Sequence, residues 1–121
     1  MTVVLDASAV LAFLNDEDGA DVVDGLLPSA AISAANWSEV AQKTRSVGAD
    51  WATTRALLLA YDVTVAPVTA DDAEAAAALW QRGSGMSLAD RLCLALANRL
   101  DRIAVTADRA WGESSRIRQI R

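Results

Sequence analysis

Four acidic residues could carry chemistry because of where they fall relative to predicted strands and helices. Asp6 and Asp108 each lie just beyond a short apolar run that predicts a buried strand. Glu39 and Asp90 each lie in the first turn or two of a predicted helix that follows a strand or loop. In an open parallel sheet, ligands gather just beyond the carboxyl ends of the strands. We therefore ask whether all four carboxylates reach the same edge.

Convergence of these acids would create a site that attracts a cation. Two unit charges about 4 Å apart repel by roughly 4 kcal/mol at an effective dielectric constant near 20. Four carboxylates in one cleft would therefore take up protons or bind a divalent cation. The sequence has no histidine and a single cysteine, Cys93. Hard oxygen ligands favour Mg²⁺ or Mn²⁺, and such an ion can activate water and stabilise charge on a phosphoryl oxygen.

Each acid also has a purely structural interpretation. Asp6 and Asp108 could cap the elements that follow them. Ser87-x-x-Asp90 and Asn36-x-x-Glu39 both fit the capping box, in which an acid at the third helical position accepts a hydrogen bond from a backbone donor. Capping does not require all four acids to lie at one edge, so convergence would favour the metal site over capping alone.

Three uncharged polar residues could support the acids. Ser8 and Thr106 each stand two residues from a candidate acid, so their hydroxyls could hold a carboxylate or a bound water. The alternative for both is local hydrogen bonding to nearby backbone groups. Asn36 shares a predicted helix face with Glu39 and could orient it, or it could act as an N-cap.

The elements that must position these residues alternate between strands and helices, which predicts an α/β fold with a parallel sheet. The predicted strands are 3–5, 30–33, 63–66, 103–106 and an edge strand, 116–120. The predicted helices are 8–14, 19–27, 34–46, 50–61, 69–82 and 87–100. At 121 residues the chain is expected to form one domain, 1–121.

Composition excludes several classes of protein. The net charge of −5 comes from 16 acidic and 11 basic residues, which argues against a broadly basic nucleic-acid-binding surface. The absence of histidine excludes serine–histidine and cysteine–histidine catalysis. We see neither a secretory signal nor an apolar stretch long enough to span a membrane. A lone cysteine suits a reducing compartment, so we expect a cytoplasmic protein with no membrane partner.

Four segments together resemble the PIN-domain ribonucleases, and among them the VapC-type toxins of bacterial toxin–antitoxin pairs. They are VVLDASA at 3–9, NWSE at 36–39, SLADRLCLALA at 87–97 and VTADRAW at 105–111. The resemblance covers essentially the whole chain. It implies a three-layer α/β/α fold with a central parallel sheet of about five strands.

The resemblance also implies roles for individual residues. The acidic quartet of the family corresponds to Asp6, Glu39, Asp90 and Asp108, which would bind one or two Mg²⁺ or Mn²⁺ ions, and its supporting polar positions correspond to Ser8, Asn36 and Thr106. The implied activity is endonucleolytic cleavage of RNA. The implied partners are a second copy of the chain and a cognate antitoxin. The antitoxin would inhibit the toxin, and operator DNA would be bound only through the antitoxin.

Two positions depart from the family pattern. Ala89 stands where many members have glycine before the third acid, a change that a helix tolerates. Some members have a fifth acid after the fourth, whereas here Ala110 and Trp111 stand in that region and Glu113 is the nearest candidate. The number of metal ions therefore stays open.

Arginines next to the site acids could bind phosphate groups of a substrate. Arg91 and Arg109 directly follow Asp90 and Asp108, and guanidinium groups suit phosphate recognition. The alternative for both is a solvated or internally paired arginine. An acidic cleft would also attract an arginine from an inhibitor protein, which could block the site by displacing the metal.

Our leading hypothesis is a metal-dependent endoribonuclease, and the alternative is a catalytically inactive PIN-like binding or dimerisation module whose acids only cap helices. A receiver-type phosphoacceptor would need a lysine beyond a later strand, but the only lysine, Lys43, falls on a predicted helix. A haloacid-dehalogenase-type phosphatase would need an aspartate at position 8, where Ser8 stands. The glycine fingerprint of a dinucleotide-binding site is absent.

Overall fold

A sheet of five parallel strands forms the centre of the molecule in this computed structural model, which describes residues 2–121. Residue 1, which belongs to the predicted domain 1–121, lies outside the described residues. The strands are β1 Val3–Leu5, β2 Ala31–Ser33, β3 Thr64–Ala66, β4 Ile103–Thr106 and β5 Ile117–Gln119. Their order across the sheet is β3-β2-β1-β4-β5, and every neighbouring pair is parallel.

Over the described residues, six α-helices and one short 3-10 helix connect the strands. The α-helices are α1 Ala7–Leu14, α2 Ala20–Leu26, α3 Ala34–Ser46, α4 Trp51–Ala60, α5 Ala70–Ala78 and α6 Leu88–Leu100, and the 3-10 helix is Arg109–Trp111. Within residues 2–121, no helix is long and apolar enough to cross a membrane.

Both faces of the sheet are covered, which explains why the central strands are continuous apolar runs. Successive side chains of a strand point to opposite faces. Val3 and Leu5 therefore join the core beneath α1 to α4, whereas Val4 joins the core beneath α6. The predicted three-layer α/β/α arrangement is confirmed. In the second helical layer, α5 packs on α6 through Ala76 and Leu92.

The predicted elements agree with the structure to within one residue at each end, with one exception. The helix predicted at 69–82 ends at Ala78, so its last turn was predicted wrongly. Leu79 and Trp80 are 36% and 55% exposed. A further helical turn would therefore bury little apolar surface on α6, and burial of an apolar face is what stabilises most helices in proteins.

The position of β1 determines where ligands can bind. The order of the strands reverses between β1 and β4, and in open α/β sheets this is where a crevice forms at the carboxyl ends of the strands. Leu5 pairs with Val105 in register, and the Asp6 N–H donates to the Val105 carbonyl at 3.1 Å. Asp6 and Asp108 therefore lie at the same edge of the sheet.

Candidate active site

All four predicted acids border one cleft at this edge. The cleft has a volume of about 190 Å³ and is lined by Asp6, Ala7, Ser8, Leu11, Asn36, Glu39, Lys43, Asp90 and Asp108. Asp6 comes from the end of β1, Glu39 from α3, Asp90 from the first turn of α6, and Asp108 from the residues after β4. The fold therefore brings together carboxylates that are separated by up to 102 residues in the sequence (108 − 6).

Asp6 is the most buried of the four acids, and its side chain is almost fully enclosed. The residue is 3% exposed and caps α1, because its Oδ1 accepts a hydrogen bond from the Ala9 N–H at 2.8 Å. Burial raises the pKa of Asp6 to about 6, and the nearby charge of Asp90 acts in the same direction, while hydrogen bonds from Thr106, Ala9 and Ser8 act against it. Asp6 is thus a buried carboxylate whose charge is incompletely compensated.

Two hydroxyl groups hold the carboxylate of Asp6 in place. Thr106 Oγ1 donates to Asp6 Oδ2 and accepts from the Asp108 N–H at 3.0 Å. Ser8 Oγ donates to Asp6 Oδ1 at 2.8 Å and accepts from the Ala107 N–H at 2.9 Å. These bonds join the ends of β1 and β4. Both hydroxyls therefore make long-range hydrogen bonds in addition to local ones.

Asn36 connects two helix N-termini, a role that the sequence did not predict. The residue is 1% exposed. Its Oδ1 accepts a hydrogen bond from the Ala7 N–H, and its Nδ2 donates one to the Ala89 carbonyl, each at 3.1 Å. The suggested N-cap role of Asn36 is wrong, because α3 begins at Ala34 and Ser33 is its N-cap. By joining α1 to α6, Asn36 fixes the distance between the elements that carry Asp6 and Asp90.

Glu39 and Asp90 both line the cleft and interact electrostatically. Partial burial raises the pKa of Glu39, and the charge of Asp90 raises it further, while Lys43 acts in the opposite direction. Asp90 therefore influences both Asp6 and Glu39. This coupling indicates that three of the four acids share one electrostatic environment.

The structural interpretation also holds for three of the acids. Ser87 and Asp90 form a complete capping box at the start of α6, and Asp90 Oδ2 accepts from the Ser87 N–H at 3.0 Å. Asp108 Oδ1 accepts from the Ala110 N–H at 2.9 Å and caps the 3-10 helix. Each of these two bonds engages one carboxylate oxygen, so Asp90 and Asp108 can cap a helix and still present a second oxygen to a ligand. Asp6 is the third capping acid, and both of its oxygens already accept hydrogen bonds.

The donors of the cleft fit a hard divalent cation by type. Among the described residues, its polar lining consists of carboxylates, the Ser8 hydroxyl, the Asn36 amide and one amine, with no sulfur or imidazole. Oxygen donors of this kind suit Mg²⁺ or Mn²⁺. Within residues 2–121, however, no three acidic, cysteine or histidine side chains are already arranged around one position for an ion. The carboxylates share the cleft, and the buried Asp6 gives the site a negative charge that a cation would compensate.

The match to a known family agrees with this geometry. The PIN domain family model matches residues 3–116 of the 121-residue chain. The chain belongs to the PIN domain family. PIN domains are generally nucleases, which accords with an acidic cleft at the carboxyl edge of a parallel sheet. A comparison with the curated proteins finds no match.

Solved structures share the PIN fold over nearly their whole length. A toxin–antitoxin complex from Klebsiella pneumoniae contains a chain 19% identical to this one, with 98% of each chain covered and a TM-score of 0.83. DNA-bound VapBC from Salmonella typhimurium contains a chain 17% identical, covering 100% of this chain and 99% of that one, with a TM-score of 0.68. A crystal structure from Pyrobaculum aerophilum is 20% identical, covers 99% of this chain and 92% of that one, and has a TM-score of 0.60. At these identities the likeness shows the fold.

The two predicted phosphate-binding arginines lie outside the acidic cleft of this PIN domain. Arg91 Nη1 donates to the Ala76 carbonyl at 2.9 Å, which directs the guanidinium toward α5. Arg109 borders a separate surface pocket that also includes Arg121. Neither arginine is among the residues that line the cleft.

Lys43 is the residue of the cleft that sequence reasoning missed. It lies on α3, four residues after Glu39, and lines the cleft beside the acids. The i, i+4 spacing from a candidate acid was visible in the sequence, because residues four apart share a helix face. What could not be read there was that this face of α3 is turned toward Asp6 and Asp90.

Proposed function

We propose that this PIN domain is a Mg²⁺- or Mn²⁺-dependent endoribonuclease of the VapC type, neutralised by a cognate antitoxin. The observation that carries the proposal is the single cleft onto which Asp6, Glu39, Asp90 and Asp108 all open. Helix capping alone gives no reason for four acids from distant parts of the chain to share a cleft. Membership of a family whose domains are generally nucleases supports the same conclusion.

The four carboxylates would hold the ion, and the remaining polar residues would hold the carboxylates. The chemistry that a bound divalent cation supplies is activation of water and stabilisation of charge on a phosphoryl oxygen. Thr106 and Ser8 fix the orientation of the Asp6 carboxylate through their hydroxyl donors. Asn36 keeps the start of α6 close to the start of α1, which opposes the mutual repulsion of the acids.

The proposed antitoxin partner is supported by the solved structures and by a second groove. Two of the structures that share this fold are a toxin–antitoxin complex and DNA-bound VapBC. A groove of about 470 Å³ runs between α1, α3 and α4, with Leu14, Val47 and Leu57 among its apolar lining. Leu11 and Lys43 line both the groove and the acidic cleft, so an antitoxin segment in the groove could place a cationic side chain among the acids.

A homodimer completes the proposed assembly. Leu79, Trp80 and Leu88 are exposed at one end of the α5–α6 pair, where a second copy could cover them. Light scattering at several protein concentrations would test this. A purely monomeric mass at every concentration would contradict the dimer without affecting the proposed nuclease activity.

Metal-dependent cleavage of RNA is the decisive experiment. We expect the purified protein to cut total RNA at defined positions in the presence of Mg²⁺ or Mn²⁺ and not in the presence of a chelator, with the fragment ends mapped by sequencing. Asp90→Asn should lose this activity while retaining a side-chain oxygen that can cap α6. If Asp90→Asn and the wild-type protein cut at the same rate, the cleavage comes from another site or from a contaminant.

The competing candidate is a catalytically inactive binding or dimerisation module. It is favoured by the caps that Asp6, Asp90 and Asp108 form, and by the absence, among the described residues, of three acids already arranged around one ion. This candidate predicts no metal-dependent cleavage and no stabilisation of the fold by metal.

A further inference from the structure

Lys43 is the one basic side chain among the described residues that line the acidic cleft. It is also the only lysine in the sequence. The residue lies in the last part of α3 and is exposed, one helical turn beyond Glu39. Its ammonium group can therefore reach a ligand that enters the cleft from solvent.

Lys43 forms no ion pair with any other residue of the described range 2–121. Three ion pairs with separations of 4.0 Å or less occur among residues 2–121: Arg99–Asp72, Arg116–Asp101 and Arg121–Glu17. Lys43 takes part in none of them. Arg91 donates to a carbonyl of α5 and Arg109 borders another pocket. The described residues that line the cleft include no arginine.

An RNA strand in this cleft would face several carboxylates on a protein with a net charge of −5. A cation from the protein is needed to hold the backbone against this repulsion, and lysine binds phosphate as a compact point charge. We propose that Lys43 binds a backbone phosphate of the RNA next to the bond that is cut. The proposal rests on the proposed nuclease function and assigns to that site a substrate-binding residue.

A different role for Lys43 must be separated from this one. Lys43 lowers the pKa of Glu39, so its charge could affect cleavage only by tuning a carboxylate of the cleft. In that case substitution of Lys43 would change the metal concentration needed for activity. A phosphate contact would instead change the dependence of RNA binding on salt, because each phosphate neutralised by the protein releases counterions.

The kinetic test compares three variants by their KM and kcat on a single-stranded oligoribonucleotide at several salt concentrations. Lys43→Gln should raise KM by about tenfold with little change in kcat, because a contact made equally in the ground and transition states affects binding alone. The slope of log affinity against log salt should become shallower by about 0.7, the contribution of one phosphate on a single strand. Lys43→Arg should restore most of both properties.

Arg45→Gln is the matched control, since it removes one positive charge from the same last turn of α3 at an exposed position outside the cleft. It should leave both KM and the salt slope close to those of the wild-type protein. If Arg45→Gln and Lys43→Gln have equal effects, the contribution of Lys43 is general electrostatic attraction, and a phosphate contact is overturned.

Chemical labelling gives a readout that does not depend on cleavage. An amine-specific acetylating reagent modifies the single lysine and the amino terminus, which serves as an internal reference. With the cleavage-deficient variant Asp6→Asn, the oligoribonucleotide should slow acetylation of Lys43 several-fold relative to the amino terminus, as measured by mass spectrometry.

The outcomes separate the two proposals. RNA cleavage by the wild-type protein with no protection of Lys43, or with an unchanged salt slope for Lys43→Gln, overturns the role of Lys43 and leaves the nuclease function intact. If Lys43→Gln loses activity and added metal restores it, Lys43 acts by tuning the carboxylate of Glu39. The proposed phosphate contact is then overturned. If the wild-type protein neither binds nor cuts RNA, the proposed function fails and this inference fails with it.

Discussion

At the scale of single residues, Asp6 combines burial with a proposed function that needs its charge. The carboxylate is enclosed at the end of β1, and burial raises its pKa to about 6. Keeping the ionised form there costs folding free energy. A helix cap does not need this charge, since asparagine also caps helices. The hydroxyls of Thr106 and Ser8 donate to the two oxygens of the carboxylate, and the proposed metal site would give its charge a further use.

Asp6→Asn should abolish cleavage while keeping the fold. Asparagine retains an oxygen that can accept from the Ala9 N–H and removes a buried charge, but its amide nitrogen cannot accept from the Thr106 hydroxyl. These effects oppose each other, so we expect the metal-free protein to melt at a temperature close to that of the wild-type protein. RNA cleavage should fall by about 100-fold or more, since even the loss of a residue that only supports a metal ligand costs up to about 100-fold. Asp24→Asn, an exposed acid on α2, is the control and should cut normally. Wild-type activity in Asp6→Asn would show that Asp6 is not a ligand.

Thr106→Val should weaken the site through Asp6. Valine has nearly the shape of threonine but cannot donate to Asp6 Oδ2 or accept from the Asp108 N–H. We expect cleavage to fall by about 10- to 100-fold and the metal concentration for half-maximal rate to rise, as for other residues that orient metal ligands. Thr64→Val changes an exposed strand threonine outside the cleft and should have no such effect. If the metal concentration for half-maximal rate is unchanged, Thr106 stabilises the fold and does not act through the proposed metal site.

At the scale of the elements, the cleft depends on contacts between helix ends that are far apart in the sequence. Asn36 joins α1 to α6 through one acceptor and one donor. The amide orientation is fixed by its partners, because a backbone N–H needs an acceptor and a carbonyl needs a donor. The pairing thus accounts for an asparagine inside a helix at a position that is 1% exposed.

Asn36→Ala should destabilise the protein more than a surface substitution on the same helix. It would leave the Ala7 N–H and the Ala89 carbonyl without their partner, and the expected loss is about 2–4 kcal/mol of unfolding free energy for two such groups. Urea denaturation measures this loss, with the exposed Ser38→Ala on the same helix as the control. If the two variants have the same urea midpoint of unfolding, water takes over the hydrogen bonds that the Asn36 side chain makes in the wild-type protein.

The ion pair between Asp72 and Arg99 fixes α5 on α6 and makes stability depend on pH. Asp72 is buried, and Arg99 Nε and Nη2 donate to its two oxygens at 2.8 and 3.0 Å. The Arg99 guanidinium holds the pKa of Asp72 below its ordinary value of 3.8. Because the folded pKa lies below the unfolded one, the pair stabilises the protein fully above about pH 4 and loses this effect as the pH falls through the folded pKa.

Asp72→Asn should therefore be less stable than the wild-type protein at neutral pH. The difference in unfolding free energy should shrink as the pH is lowered below about 4, since protonated Asp72 resembles asparagine. Thermal unfolding at a series of pH values measures it, with the exposed neighbour Asp71→Asn as the control. A difference that is constant down to pH 2 would mean that packing, not charge, is what the substitution removes.

At the scale of the whole molecule, metal binding should raise the thermal stability of the protein. A ligand that binds only the folded state stabilises it by about 2.7 kcal/mol at 100 times its Kd. Mn²⁺ or Mg²⁺ should therefore raise the melting temperature of the wild-type protein by several degrees and that of Asp90→Asn by much less. If millimolar metal leaves the wild-type melting temperature unchanged, the acids act as caps and the binding-module alternative is favoured.

The distribution of charge over the whole molecule indicates how an acidic protein could bind RNA. The net charge of −5 argues against a broad basic surface, and the cleft lining found within residues 2–121 contains no arginine. Among the residues that the structure describes, the positive charge at the site thus comes from Lys43, to which a cation bound by the acids would add. Recognition of RNA under these conditions is expected to be local to the cleft, which is where the Lys43 variants test it.

The order and bounds of the secondary structure could be predicted from the sequence because they depend on neighbours along the chain. Apolar runs, helical periodicity and the Ser87–Asp90 capping box are all local patterns, and each was found within one residue of its predicted place. The helix predicted to reach Arg82 was too long, because its end depends on what α6 leaves uncovered. The sequence also determined the donor chemistry, since a chain without histidine and with one cysteine can offer a metal little but oxygen.

Only the tertiary structure decided which side chains meet. Thr106 reaches Asp6 across 100 residues, and Asn36 reaches Ala89 across 53. Such contacts depend on how helices pack on the two faces of the sheet, which no local pattern specifies. For the same reason packing directed Arg91 toward α5 and placed Lys43 in the cleft. The identities of the acids follow from the sequence, but their shared environment follows from strand order and helix packing.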